Sequence, residues 1–175
     1  MRSQLRLLTV LVAAAALAAL PACNSTSLDD GDSANVVLET GTITVPPIQG
    51  QIDDVTGVCT FTITDANAQL FNKPKNELAT TSPFNDIRNL SVTIDYLWDS
   101  ALVAPTPQRV LLLPGTVPAN GSFTTQFTPI LLGDLTADKE GHSANMSMTF
   151  RGETVDGTEV SALGLGRTLS IGSCQ

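Results

Sequence analysis

Hydrophobic and polar residues alternate along much of this chain with a period of two. In "CTFTIT", Cys59, Phe61 and Ile63 point one way while Thr60, Thr62 and Thr64 point the other, which is how a half-buried strand reads. Ser91 to Trp98 repeats the pattern, with Val92, Ile94, Tyr96 and Trp98 on one face and Ser91, Thr93 and Asp95 on the opposite one. Met146, Met148 and Phe150 alternate with Ser147, Thr149 and Arg151. Further strands are expected over Val36 to Val45, Arg109 to Leu113, Phe123 to Leu132, Thr158 to Leu163 and Arg167 to Ile171. Asp156-Gly157 and Asn120-Gly121 supply the positive φ angles that tight hairpin turns need. Pro105, Pro107, Pro114, Pro118 and Pro129 interrupt the middle third, so strands there are expected to be short, bent or at an edge. From Asn72 to Ile87 the chain reads as irregular, with room for one helical turn. About seven or eight strands with almost no helical signal predict a single all-β domain, an antiparallel β-sandwich.

The general look of this pattern is similar to immunoglobulin-like or fibronectin type III domains. True immunoglobulin domains place their two cysteines about half a domain apart with a tryptophan between, whereas Cys174 here follows the final hairpin. The resemblance is one of architecture, and architecture does not specify activity.

The N-terminus follows a different rule. Arg2 and Arg6 precede an apolar block from Leu7 to Leu20, which is shorter than the roughly 20 residues a membrane helix needs. Alanine and leucine run all round it, so it offers no polar face for a core helix to turn to solvent. The block ends in Leu20-Pro21-Ala22-Cys23, which resembles the lipobox of bacterial lipoprotein precursors, with Pro21 standing where that family usually has a small residue. The resemblance implies a signal peptide over 1–22, cleavage after Ala22, and lipid on the sulfur and new amino group of Cys23. One acyl chain binds a membrane only reversibly and two or more anchor stably, so the implied partner of Cys23 is a membrane. Asn24 follows the cysteine where the family's inner-membrane retention signal has aspartate, which favours the outer membrane, on its periplasmic face or at the cell surface. Residues 23–35 then read as the lipidated cysteine and a polar tether, and 36–175 as the folded domain.

Charge narrows the partners. The chain has 9 basic and 17 acidic residues and a formal charge of −8, and loss of Arg2 and Arg6 with the leader makes the mature form more acidic still. Nucleic acid and bare anionic lipid both need a positive surface, so neither is expected. With Cys23 assigned to lipid by the lipobox resemblance, Cys59 and Cys174 remain as a pair in a compartment that permits disulfides. A bridge between them is the first expectation and two free thiols the alternative. Two distant cysteines and the single His142 offer no compact ligand set, so no metal or other cofactor is expected.

No catalytic pattern in the sequence is complete. "GHSAN", from Gly141 to Asn145, starts like a nucleophile elbow but lacks the closing glycine and is followed by a strand. His142 sits next to Ser143, no second histidine is present to act as base, and His142 is expected in a solvated loop. Asp53 with Asp54, and Asp95 with Asp99, are the nearest paired carboxylates; turn and strand-surface positions account for both. The glycines of "GLGRTLSIG" miss the dinucleotide fingerprint and suit a bend or bulge between the last two strands. Tyr96 and Trp98 form the one close aromatic pair. Exposed they would make a stacking platform for a sugar; buried with Val92 and Ile94 they would be core. Leu97, on the opposite face, marks an apolar edge that another protein could cover.

The expected function is a non-catalytic interaction or assembly module, lipid-anchored in a bacterial envelope and bound to an envelope protein. The alternatives are a carbohydrate-binding module using Tyr96 and Trp98, and a hydrolase of unrecognised type.

Overall fold

The structure is a computed structural model that describes residues 27–28, 35–75 and 83–174. Cys23, the apolar leader and most of the tether lie outside the described residues. Ten strands follow in chain order: β1 (Ser27–Leu28), β2 (Val36–Thr44), β3 (Gln49–Ile52), β4 (Cys59–Thr62), β5 (Ala66–Pro74), β6 (Ile87–Trp98), β7 (Arg109–Leu112), β8 (Ser122–Phe127), β9 (Ser143–Thr154) and β10 (Glu159–Ser170). They form a five-stranded sheet in the order β1-β10-β9-β6-β7, a three-stranded sheet β2-β5-β8 and a two-stranded ribbon β3-β4. All pairings between these strands are antiparallel. The fold is therefore the all-β sandwich that the alternation predicts.

The inward positions of β6 and β9 are those marked in the sequence: Val92, Ile94, Met146, Met148 and Phe150 are all buried. They meet Val36, Leu38 and Ile43 of β2, Ala66, Ala68 and Leu70 of β5, and Phe127 of β8 in one core cluster. Phe150 and Phe127 pack edge to face across the two sheets, with ring centroids 6.2 Å apart. That is the geometry the aromatic quadrupole favours. On one side of the sandwich β2 lies beside β10, and the Thr40 hydroxyl donates to the Leu163 carbonyl at 2.7 Å.

Four local outcomes differ from the sequence reading. Thr158–Leu163 and Arg167–Ile171 are one continuous strand, β10, because the register slips between Gly164 and Arg167 without breaking the ladder. The strand expected to reach Leu132 stops at Phe127, ahead of Pro129, whose ring leaves no N–H for a ladder. Asp156-Gly157 does turn β9 into β10, with Gly157 at φ 84°. Asn120-Gly121, by contrast, joins no hairpin: it carries the chain from the five-stranded sheet into β8 of the other. Finally, the stretch read as irregular from Asn72 opens inside β5, which runs to Pro74, and includes a short 3-10 turn at Pro83–Asn85.

Candidate functional site

Cys23, the expected lipid site, lies outside the described residues. Within the stretch read as tether, Ser27 and Leu28 pair with Ala162 and Ser161 at the edge of β10.

Cys59 opens β4 and Cys174 ends the described chain, and the two form a disulfide with Cα atoms 5.8 Å apart. The bridge fastens the β3-β4 ribbon to the C-terminus. Its neighbour Ile48 continues the attachment: Ile48 N–H donates to the Ser170 carbonyl and Gly172 N–H to the Ile48 carbonyl. Glu140 also reaches this point, its Oε1 accepting the Cys174 N–H at 2.6 Å. The two sulfurs and the Glu140 carboxylate lie within 4.8 Å of one another, but each sulfur's bonding is taken up by the other.

Tyr96 and Trp98 share the inner face of β6, as the pattern predicts, and both pack half-buried against the core. The Tyr96 hydroxyl donates to the Pro129 carbonyl. Burial pushes its pKa up to about 12. Trp98 Nε1 donates to Thr106 Oγ1 at 3.1 Å, and the Lys139 ammonium stands 5.5 Å from the centre of its ring. Both polar handles are thus used inside the protein and one Trp98 face is covered. The pair fastens the 99–108 and 128–139 loops to the end of β6.

The polar candidates separate. Asp95 accepts from Gln108 at 2.7 Å. Asp99 accepts from the Ser143 N–H at 2.8 Å and pairs with His142 Nδ1 at 2.8 Å. These contacts, the Ser143 N–H first, hold the Asp99 carboxyl below its ordinary range. His142 is therefore tied to Asp99, just past the end of β6, rather than simply solvated. Asp53 caps its own turn through the Val55 and Thr56 N–H groups.

The apolar surface is more informative. Leu97 is 73% exposed, and β7 adds Val110 at 65% and Leu112 at 86%. Because Leu113 N–H donates to the Leu90 carbonyl at 2.8 Å, alternation along the strand turns the N–H and C=O of Val110 and Leu112 away from β6. Among the described residues β7 pairs only with β6, so this is an open sheet edge there, with apolar side chains beside it. The tip of the β3-β4 ribbon carries a second exposed group, Ile52, Val55 and Val58. The sequence reading found Leu97 and expected the strand over Arg109 to Leu113, but missed that this strand leaves an apolar row exposed. Its signal was the unbroken run "VLLL" at 110–113, which is apolar on both faces of a strand and so over-supplies a sheet with only one face to bury.

These features define an antiparallel all-β sandwich stapled by one disulfide, with an open apolar edge. No protein-family model, curated protein or solved structure matches the chain. Among the described residues no helix is long and apolar enough to cross a membrane.

Proposed function

We propose that the protein is a lipid-anchored module of a bacterial envelope that binds another protein without catalysing a reaction. The anchor is supported by the lipobox-like Leu20-Pro21-Ala22-Cys23. The outer membrane is its place by the same resemblance, and the immunoglobulin-like reading of the domain belongs to this proposal. One observation carries the interaction: edge strand β7 presents the main-chain groups of Val110 and Leu112 together with their exposed side chains. An extended segment added to such an edge gains main-chain hydrogen bonds, and its alternate side chains meet the apolar row.

The test is crosslinking in the native envelope followed by capture and mass spectrometry, with the full-length protein, Cys23→Ala, and Val110→Lys with Leu112→Lys. A protein captured by the natural chain and lost in the two-lysine variant supports the reading, and loss in Cys23→Ala ties it to the anchor. Capture unaffected by the β7 lysines refutes the edge as the docking site. Recovery of glycan alone removes the protein-binding reading and favours the carbohydrate one.

A further inference from the structure

Lys139 is 3% exposed, which is rare for an ammonium. It ends the short 3-10 turn Ala137–Lys139 and reaches in over Trp98. An ammonium carries three donors. One meets Thr136 Oγ1 at 2.9 Å, and the charge faces the Trp98 ring. Among the described residues the nearest carboxylate oxygen, on Asp138, is 3.9 Å away and outside hydrogen-bond range. Asp138 is in any case engaged by the Ala104 N–H at 2.6 Å, and Thr136, first among its partners, holds its carboxyl below the ordinary range. Lys139 is thus left with donor capacity that no acceptor fills among the described residues.

That capacity adjoins a cavity of about 170 Å3 which Lys139 lines together with Pro105, Thr106, Pro107, Asp134 and Thr136. Asp134 is half-buried there. Its carboxylate accepts no hydrogen bond among the described residues, and it makes no ion pair with Lys139. A cation short of acceptors and a carboxylate short of donors therefore share one small cavity without touching. Thr106 adds a third group: its oxygen accepts from Trp98 Nε1, which leaves the hydroxyl hydrogen free to donate.

We propose that this cavity binds one sugar ring through neighbouring hydroxyl groups, one accepting from Lys139 and the next donating to Asp134. A hydroxyl both accepts and donates, so a diol completes both charged groups at once. A free anion would satisfy Lys139 but face Asp134 and Asp138. The volume is below the roughly 300–1,000 Å3 usual for drug-sized ligands, which suits a single ring, and Pro105 and Pro107 offer it C–H walls. This site is separate from the β7 edge and does not rest on the protein-docking reading. It also differs from a platform of exposed aromatics, because Trp98 acts here by holding Lys139 in place.

The chain's single tryptophan makes the test direct. Trp98 fluorescence of the full-length protein is titrated with glucose, galactose, mannose and N-acetylglucosamine into the high-millimolar range. At least one sugar is expected to give a saturable change. Asp134→Asn, a loop substitution that leaves the core intact, is expected to weaken that binding about tenfold or more, and Lys139→Met to abolish it. Thermal melting shows whether Lys139→Met folds; if it does not, Asp134→Asn alone decides. No saturable response to any of the four sugars, or equal affinity in Asp134→Asn, overturns the proposal. A response to acetate or inorganic phosphate at lower concentration than to any sugar also overturns it, and makes Lys139 an anion site.

Discussion

Several aspartates act as local fasteners. Asp53, Asp99, Asp138 and Asp156 each accept hydrogen bonds from their surroundings, and these hold each carboxyl below the ordinary aspartate value of 3.8. A folded-state pKa below the unfolded one stabilises the fold above the unfolded value and loses that contribution as pH falls through the folded one. The melting temperature is therefore expected to drop as the pH is taken below 3.8, the ordinary aspartate value. In Asp99→Asn the deficit relative to the natural chain should be present at neutral pH and should shrink as acid protonates Asp99; a deficit that is constant across the acid range would contradict this. At the centre of the core, Phe150→Ala removes a fully buried ring that meets Phe127. It should cost about 3–5 kcal/mol in a denaturant titration. Phe150 could be read from its alternation with Thr149 and Arg151. The Asp99–His142 pair could not, because its partners stand 43 positions apart and nothing local links them.

Strands with strong apolar alternation were legible, as was the apolar run at Arg109–Leu112, whereas β5, which has neither pattern, was not. β5 is the middle strand of its sheet, yet its buried residues are Ala66, Ala68, Leu70 and Asn72. Alanine is a poor strand former, and Phe71 facing outward while Asn72 faces inward reverses the expected phase. Tertiary structure explains the reversal: Asn72 Nδ2 donates to the carbonyls of Asn85 and Val117, tying β5 to the 3-10 turn ahead of β6 and to the loop residue bridged to Ile87. The link from β7 to β8 depends on another residue whose role is not visible locally. Gly115 has φ 115°, and a Cβ built there would stand 2.2 Å from the Phe123 ring. Gly115→Ala combines backbone strain with that overlap and is expected to destabilise by about 1–3 kcal/mol in urea unfolding. An unchanged midpoint would mean that Phe123 swings away at no cost.

At the scale of the molecule, the disulfide sets how firmly the ribbon and the chain end are held. It spans 115 residues. Closing a loop of that order is worth up to about 4–5 kcal/mol in the chain-entropy model, and often less in practice. Reduction, or Cys59→Ser with Cys174→Ser, should lower the melting temperature and release the ribbon first. Hydrogen exchange should then rise in residues 49–62 and 171–174 before it rises in β6 and β9. Simultaneous loss throughout would show that the staple supports the whole sandwich.

The amino-acid sequence by itself determined the class of fold. Period-two alternation at Cys59–Thr64, Ser91–Trp98 and Met146–Arg151 is a local property, since each strand must turn one face to the core whatever its partner. It also carried the lipobox resemblance, which is a contiguous pattern, and left Cys59 and Cys174 to pair once Cys23 was set aside. Tertiary structure decided everything that depends on which elements become neighbours. It put β7 at an open edge, turned Tyr96 and Trp98 into loop fasteners, brought His142 to Asp99, and set Lys139 and Asp134 around one cavity. Those outcomes follow from strand order and loop packing, and pairings between positions far apart in the chain leave no periodic trace in it.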